Sequence, residues 1–403
     1  MKRFSQDPTD PAFVQNPYAF YEKTRSAGPV FFWEEYAMPC VTGFTEVDAL
    51  LRDRGFGREN PPEFRTPHPP HLDAFHDFES RSMLELEPPA HSRLRGLVIR
   101  AFTSRRIAAM DREIEALCHQ LIDGFPDGPF DLLNAYAEKI PVIVIARLLG
   151  VPETMSGRLL DWSHAMVAMY EARRTRAIED RAVRATEEFS AFMRGHIEKR
   201  RVDPRDDLIT TLIAVVDDGA RLSTDEMITT LILLLNAGHE ATVHAIGNAV
   251  KMLLETGHPT AALKEPAQCD RIIEESLRLD PPLHMFTRFA YHDVAIAGHD
   301  IKRGDEIGLL LAAANRDPAR FDAANRFDPD RPDQAHTSFG AGVHFCLGAP
   351  LARLEMKAAL PILFARCPSM QLARQPDFAD RYHFHGLAGL TVTTRAAARS
   401  PPA

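Results

Sequence analysis

The chain has 403 residues, of which 45% are hydrophobic and 26% are charged, and its formal net charge at pH 7 is -9. This composition is ordinary for a soluble globular protein. The negative charge argues against a general nucleic-acid binder, whose phosphate contacts need a basic surface. The five cysteines are odd in number and lack C-x-x-C spacing, so neither a disulfide framework nor a zinc site is expected from them.

The N-terminal segment has no apolar run that could serve as a signal peptide or anchor. The longest apolar stretch, residues 231–235, is far shorter than the roughly 20 residues that a membrane-spanning helix requires. We therefore expect a cytoplasmic protein without a membrane anchor and without a nucleic-acid partner.

The first hundred residues alternate between short helices and strands. Apolar periodicity predicts helices over 18–27 and 45–52 and strands over 30–33 and 38–42. The segment 60–84 is rich in proline, histidine and phenylalanine and shows no period, which predicts an irregular loop. Loops of this length in compact domains are usually functional or disordered.

A helix with His91 and Arg95 on one face opens after this loop. Histidine and arginine at this spacing more often form a solvated face than a ligand site. Helical periodicity then continues along the chain. The predicted helices cover residues 112–125, 132–149, 159–170 and 178–200.

A long helix follows. Ser223-Thr-Asp-Glu226 has the form of a capping box, and the helical pattern runs to about Thr256, where Gly257 stops it. At about 1.5 Å per residue this helix is on the order of 50 Å long. Its first half is apolar nearly all round, which favours a central buried position, so a glutamate at position 240 needs an explanation.

The next segment contains a possible ion pair and further strands. Glu275 and Arg278 are three residues apart in a helix predicted over 271–279, and can pair on one face. Such pairs are usually surface features of little energetic value. Residues 283–288 are expected to be extended. Short strands are predicted over 294–296, 307–311 and 390–394.

Near the C-terminus, residues 339–348 present Cys346 in a glycine-rich loop. Glycines at 340, 342 and 348 permit backbone conformations closed to other residues and a close approach to a planar ligand, with amide N–H groups free to point at sulfur. A helix beginning at Pro350 would direct its positive end towards the sulfur and favour a thiolate. A lone cysteine is otherwise more often a buried structural thiol.

Together these motifs resemble those of the cytochrome P-450 family. Phe339, Gly342, His344, Cys346 and Gly348 match its haem-binding signature F-x-x-G-x-H-x-C-x-G, and the H-x-x-x-R and E-x-x-R motifs precede it in the expected order. The resemblance spans essentially the whole chain. It implies one domain over 1–403 with the family's triangular, mainly α fold and minor β component, and mobile tails at 1–10 and 396–403.

The resemblance also implies a cofactor and a set of contacts. The cofactor is haem b, iron protoporphyrin IX, and Cys346 is its iron ligand. The other cofactor-binding residues expected are His91, Arg95, Ala237, Gly238, Arg288, Phe339, Gly340, His344 and Gly348. Among them His91, Arg95, Arg288 and His344 are expected to bind the haem propionates. Glu275, Arg278 and Arg331 are expected to form a structural network that keeps the cysteine loop in place.

The middle of the long helix resembles the family's [A/G]-G-x-[D/E]-T sequence, with one departure. The small Ala237 and Gly238 would leave room for dioxygen, and Glu240 would relay protons. The family's threonine is replaced by Ala241. Thr242 lies one residue later, rotated by about 100° on the helix, and cannot simply substitute. We hypothesise that a substrate hydroxyl or amine with an ordered water, or His239, fills the gap.

The activity implied is that of a bacterial-type monooxygenase that inserts one oxygen atom of O2 into a mostly hydrophobic small molecule, by hydroxylation or oxidative demethylation. No flavin or iron–sulfur motif is present, so a ferredoxin and an NAD(P)H-dependent reductase are expected to supply electrons to a monomeric enzyme. The basic residues expected to meet this donor are Arg100, Arg105, Arg106, Arg353 and Lys357. The expected substrate pocket includes Leu234, Leu283, Phe286 and Leu387.

Two alternatives remain open at this point. With the alcohol absent, the enzyme could use peroxide, couple rings or catalyse dehydration, which turnover with hydrogen peroxide would reveal. A non-enzymatic haem protein, either a gas sensor or an electron carrier, would lack a displaceable substrate pocket.

Overall fold

Local signals in the sequence set the ends of the longest helix. The computed structural model describes residues 1–171, 174–215, 221–382 and 384–394. The Ser223 hydroxyl accepts from the Glu226 amide and the Glu226 carboxylate accepts from the Ser223 amide, so both halves of the predicted capping box form. The helix ends at Gly257, whose φ of 62° lies in the left-handed region that glycine tolerates.

Helices make up most of the chain. In order they are α1 (Pro11–Gln15), α2 (Tyr18–Arg25), α3 (Phe44–Arg52), α4 (Asp73–Glu79), α5 (Ala90–Ala101), α6 (Ser104–Ala109), α7 (Asp111–Asp123), α8 (Lys139–Leu149), α9 (Ser156–Val167), α10 (Arg176–Val202), α11 (Leu208–Ala214), α12 (Thr224–Thr256), α13 (Pro266–Leu279), α14 (Leu311–Ala314) and α15 (Ala349–Arg366). A π-helical turn, Leu133–Ala137, precedes α8.

The strands are short: β1 (Lys2–Phe4), β2 (Val30–Trp33), β3 (Met38–Val41), β4 (Phe56–Gly57), β5 (Phe130–Asp131), β6 (Met285–Ala290), β7 (Val294–Ile296), β8 (His299–Ile301), β9 (Glu306–Leu310), β10 (Gln371–Leu372) and β11 (Thr391–Thr393). They form a six-stranded sheet in the order β1-β2-β3-β9-β6-β4, a three-stranded sheet β10-β11-β5 and the hairpin β7-β8. The predicted combination of mainly α structure with a minor β component is confirmed.

Two predicted segments differ in the structure. The segment 60–84, expected to be an irregular loop, contains α4, because Phe75 and Phe78 share one face that packs into the main core. Residues 1–10, expected to be a mobile tail, include β1, which pairs in parallel with Phe31–Trp33. The other expected tail, 396–403, lies outside the described residues.

The helix α12 crosses the main hydrophobic core. Leu231, Ile232, Leu235 and Ile246 on this helix have no exposed surface, as its apolar first half predicts. Among the residues that the structure describes, no helix has the length and apolar character needed to cross a membrane.

The predicted ion pair of α13 is fully buried rather than a surface feature. Arg278 donates from Nε and Nη2 to both oxygens of Glu275, at 2.7 and 2.8 Å, and neither side chain is exposed. Arg331 donates to Glu275 Oε2 at 3.0 Å, and the amide of Asp328 donates to Oε1 at 2.8 Å. The sequence-based expectation that Glu275, Arg278 and Arg331 lie together agrees with this geometry.

The same network reaches the segment that precedes the cysteine loop. Arg278 Nη1 donates to the carbonyl of Asn315 at 2.6 Å. The Asn315 side chain donates to the Ser338 hydroxyl and accepts from the Thr337 amide, both at 2.8 Å. Because every group is buried, this chain of hydrogen bonds fixes the position of residue 338 relative to α13.

The Glu275→Ala variant is expected to lose this anchor. Removing one partner of a buried ion pair leaves an uncompensated charge and costs about 3–5 kcal/mol of unfolding free energy. We expect aggregated or haem-free protein, measured by haem content and urea unfolding.

The matched control is Glu198→Ala, which removes a glutamate from the exposed Glu198–Arg201 pair at the same three-residue spacing. Its expected cost is below about 1 kcal/mol. A Glu275→Ala protein with normal haem content and stability would contradict the structural role.

Candidate functional site

The cysteine loop is shaped by two glycines in the left-handed region. Gly340 and Gly342 have φ of 66° and 67°. A Cβ at Gly342 would lie 2.4 Å from the backbone oxygen of Leu51, so the loop packs directly against the end of α3. The Cys346 amide donates to the carbonyl of Phe339 at 2.9 Å, which closes the loop before α15 begins at Ala349.

The Cys346 sulfur faces the beginning of α15. The backbone amides of Gly348 and Ala349 are directed at it, as the loop sequence predicts. Burial raises the pKa of the Cys346 thiol, while these amides and the guanidinium groups of Arg95 and Arg353 act in the opposite direction. The two amides and the two guanidinium groups therefore favour a thiolate and oppose the effect of burial.

Four basic side chains expected at one cofactor lie near this loop. The His91 and His344 rings are 4.5 Å apart, and Arg95 donates to the carbonyl of Phe345 at 2.7 Å. Burial lowers the pKa of His91 to about 4, and the buried His91 Nδ1 has no hydrogen-bond partner. His344 differs, because its Nε2 lies 2.9 Å from a carboxylate oxygen of Glu87.

Arg288 on β6 is also buried. Its Nη1 donates to the carbonyl of Thr287 at 2.8 Å, and burial lowers its pKa to about 10. Within the described parts of the chain, no carboxylate lies at ion-pair distance from Arg288 or Arg95. Buried cations without an anion are costly, so this set fits a ligand that carries carboxylates.

The middle of α12 opens onto free space. Ala237 is exposed although its helix is otherwise buried there, and a Cβ at Gly238 would meet nothing within 4 Å. Leu234 is buried beside them, and Phe286 packs against Gly340 at the cysteine loop. The accessible helix surface, the cysteine loop and the unpaired cations together fit a large planar group that carries carboxylates.

The expected pocket residues are placed differently from one another. Leu283 is half-buried and forms a bridge with Phe384. Leu387 is buried in the main core against Gly247, ten residues or about 15 Å along α12 from Ala237. A Cβ at Gly247 would lie 2.7 Å from the Leu133 side chain and 3.9 Å from that of Leu387, so Leu133 occupies the space beside this glycine. That Leu387 lines the substrate pocket stays a prediction.

Glu240 lies in a polar cluster inside α12. Its carboxylate accepts from Arg381 at 2.9 Å and lies 3.2 Å from His164 Nε2. Burial raises the pKa of Glu240, but the hydrogen bond from His164 and the adjacent ring of His239, whose Nδ1 lies 3.5 Å from Oε2, outweigh burial and leave the pKa lowered. The pKa of His164 is raised by its hydrogen bond to Glu240, so this carboxylate is ionised and its proton donors are the neighbouring side chains.

Ala241 and Thr242 occupy different positions on the helix. The Thr242 hydroxyl donates to the carbonyl of Gly238 at 3.1 Å and is buried. It is therefore committed to the helix backbone. The family's motif would place a threonine hydroxyl at position 241. Among the described residues of this part of α12, no other hydroxyl is available to take its place.

Sequence reasoning missed the two residues that hold Glu240. His164 comes from α9, and Arg381 is 141 residues away in sequence. No local pattern marks either of them. Three of the five basic residues expected to meet an electron donor form ion pairs: Arg106 with Asp206, Arg353 with Glu274, and Lys357 with Asp270.

Comparison with known proteins identifies the family. The family model described as Cytochrome P450 matches residues 267–392. The polyketide biosynthesis cytochrome P450 PksS of Bacillus subtilis is 34% identical, over 98% of this chain and 99% of that protein. The 6-deoxyerythronolide B hydroxylase of Saccharopolyspora erythraea is 36% identical, over 89% of this chain and 90% of that protein.

The chain belongs to the cytochrome P450 family. The crystal structure of P450BioI, in complex with an acyl carrier protein carrying hexadec-9Z-enoic acid, superposes on this P450 with a TM-score of 0.89, at 33% identity, over 95% of this chain and 100% of that one. The expected fold is thus confirmed. Proteins of this family bind haem b through a thiolate, and this P450 is an enzyme of the monooxygenase type.

The Gly342→Ala variant tests the loop geometry. A side chain at this left-handed position costs about 1–3 kcal/mol, and its Cβ would collide with the backbone of Leu51. We expect reduced haem content and a lower melting temperature.

The control is Gly195→Ala in α10, where a Cβ meets nothing within 4 Å. Alanine is the better helix former, so its expected effect is neutral or stabilising by about 1 kcal/mol. Equal behaviour of the two variants would show that the cysteine loop tolerates a side chain at position 342.

Proposed function

We propose that Cys346 is the thiolate ligand of haem b and that this P450 inserts one oxygen atom of O2 into a mostly hydrophobic small molecule, by hydroxylation or oxidative demethylation. A thiolate-ligated haem supplies the cleavage of the O–O bond when it is bound. The observation that carries the assignment is the position of Cys346, with two backbone amides directed at its sulfur and unpaired cations nearby.

The contacts to the cofactor follow from the same surroundings. His91, Arg95 and Arg288 would bind the propionates, since these basic groups have no carboxylate partner among the described residues. His344 would also contact a propionate, because its ring lies 4.5 Å from that of His91. The contact between His344 Nε2 and the Glu87 carboxylate fixes the orientation of this ring. Charge-assisted hydrogen bonds from arginine to carboxylates are among the strongest in proteins, so these cations would also orient the cofactor.

The residues of α12 would manage protons. His164 is half-exposed and in contact with Glu240, so a proton from solvent would pass from its imidazole to the carboxylate. The next donor along the helix is missing, because position 241 is an alanine and the Thr242 hydroxyl is held by Gly238. A substrate hydroxyl or amine with an ordered water, or His239, would therefore complete the relay.

The electron source in this proposal is a ferredoxin-type donor with an NAD(P)H-dependent reductase. The sequence contains no flavin or iron–sulfur motif of its own. Basic side chains on α15, Arg353 and Lys357, would meet an acidic donor, although each pairs with a carboxylate of α13 in the free protein. Electrostatic complementarity of this kind affects mainly the rate of encounter.

The substrate class follows from the apolar character of the space near α12. Leu234 lines the helix beside Ala237, and Phe286 and Leu283 lie on or next to β6. The relative from Saccharopolyspora erythraea is named for hydroxylating 6-deoxyerythronolide B, which supports a hydrophobic substrate for this P450 as well. A polar handle on that molecule would reach the histidines and Glu240.

The iron ligand is tested by reduced, carbon monoxide-bound spectra. Wild-type protein should place the Soret band at the position typical of thiolate ligation, and Cys346→His should move it to the position of a nitrogen ligand. The control is Cys367→Ser, a buried cysteine outside the loop, which should keep the thiolate spectrum. A thiolate spectrum retained by Cys346→His would overturn the assignment.

The relay is tested by Ala241→Thr. A positioned proton donor contributes about 10²–10⁴-fold to a rate, so restoring the hydroxyl should raise the fraction of consumed NAD(P)H that appears as product. The effect should be largest with substrates that lack a hydroxyl or amine.

The control for the relay is Thr242→Val, which removes a hydroxyl already bonded to the helix and should leave that fraction nearly unchanged. Unchanged coupling in Ala241→Thr with every substrate tried would count against a missing donor at position 241.

A further inference from the structure

Three helical segments bring imidazole and carboxylate groups together beside α12. Glu138 lies between the π-helical turn and α8, His164 on α9 and His239 on α12. Each offers one ligand atom, and these atoms all lie within 4.8 Å of one another. Glu240 adds a fourth group, since its Oε2 is 3.2 Å from His164 Nε2 and 3.5 Å from His239 Nδ1.

His239 is the unusual member of this cluster. Its side chain is 1% exposed, and neither ring nitrogen has a hydrogen-bond partner. An unsatisfied buried polar group costs about 1–3 kcal/mol, and such groups in native structures need an explanation. A ring nitrogen that keeps its lone pair and lies beside carboxylates can bind a metal ion.

We propose that Glu138, His164, His239 and Glu240 bind a divalent transition-metal ion of the zinc class, in a site additional to the haem. Imidazole nitrogen and carboxylate oxygen are ligands that zinc accepts in tetrahedral sites, at about 2.0–2.2 Å. Neighbouring ligands of such a tetrahedron are about 3.3 Å apart. The two contacts of Glu240, at 3.2 and 3.5 Å, match this spacing.

The surrounding charges favour a dication. Arg381 donates to Oε1 of Glu240, which leaves Oε2 facing the two histidines. A hydrogen bond to the oxygen that does not bind the metal orients a ligating carboxylate. Arg381 also lies 3.5 Å from Glu171. Together Glu138, Glu171, Glu240 and Arg381 carry a net negative charge.

An ion can reach the site from solvent. The His164 side chain is 38% exposed, and Glu138 is half-buried. The inner half of the cluster, His239 and Glu240, is almost fully buried, which would exclude competing water once an ion is bound. The site thus has an open outer side and a closed inner side.

A second histidine cluster differs from this one in its hydrogen bonds. Asp280, His284 and His385 also lie within 4.8 Å of one another and are buried. There, however, the Tyr18 hydroxyl donates to Asp280 at 2.5 Å, and the Tyr21 hydroxyl lies 2.9 Å from His284 Nδ1. Hydrogen bonds with tyrosines thus satisfy Asp280 and His284, two of the three groups of that cluster.

The test is a zinc titration of the haem-loaded enzyme after chelator treatment and dialysis, followed by calorimetry and by metal analysis per haem. We expect one zinc ion per chain. Loss of a side chain that only hydrogen-bonds to a metal ligand typically weakens metal binding by about 10- to 100-fold, so removing a ligand itself in His239→Gln or His164→Gln should weaken it by about tenfold or more. Because His164 is half-exposed, its variant is expected to fold and keep its haem.

The control is His119→Gln, an exposed histidine on α7 that contacts Arg366, which should bind zinc as the wild type does. Absence of stoichiometric zinc in the wild type, or equal affinity in His164→Gln, would overturn the proposal and would leave His164 as an ion-pair partner of Glu240 only. The measurement needs no turnover, so its outcome is independent of the proposed function.

Discussion

The buried carboxylate of Glu275 is the constraint on which the rest of this P450 depends. It accepts from Arg278, Arg331 and the amide of Asp328, and Arg278 passes the constraint on to Asn315. A charge without exposed surface is tolerated only when its hydrogen bonds are complete. Because Asn315 in turn holds Thr337 and Ser338, the loop that presents Cys346 begins from a fixed point.

The parts of the molecule that could be predicted from the sequence are those encoded by local spacing. The capping box at Ser223 and Glu226, the strand Val30–Trp33 and the glycines around Cys346 each depend on neighbouring residues.

The partners of Glu240 could not be predicted, since His164 and Arg381 reach it from distant segments. Helix α4 was missed for another reason: two phenylalanines supply its buried face in a segment whose prolines suggest a loop.

Burial and the neighbouring basic side chains have opposite effects on Glu240 at the polar centre of α12. Burial disfavours the charge of Glu240, and contacts from His164 and Arg381 stabilise it, while the buried rings of His239 and His244 have no hydrogen-bond partners. Burial lowers the pKa of His244 to about 4, so that ring is neutral at physiological pH. The helix therefore holds one ionised acid among imidazoles of different protonation. The two proposals concern the same carboxylate in different states, since a bound zinc ion would occupy the lone pairs through which Glu240 would otherwise accept a proton.

The contact between Gly342 and the backbone of Leu51 has a consequence for protein engineering. Two segments almost three hundred residues apart fit each other with no side chain between them. A chimera that transplants only the cysteine loop from a relative would bring a backbone shaped for a different helix end. Exchange of this loop therefore requires the joint transfer of residues 44–52, and the two segments form one unit of recombination.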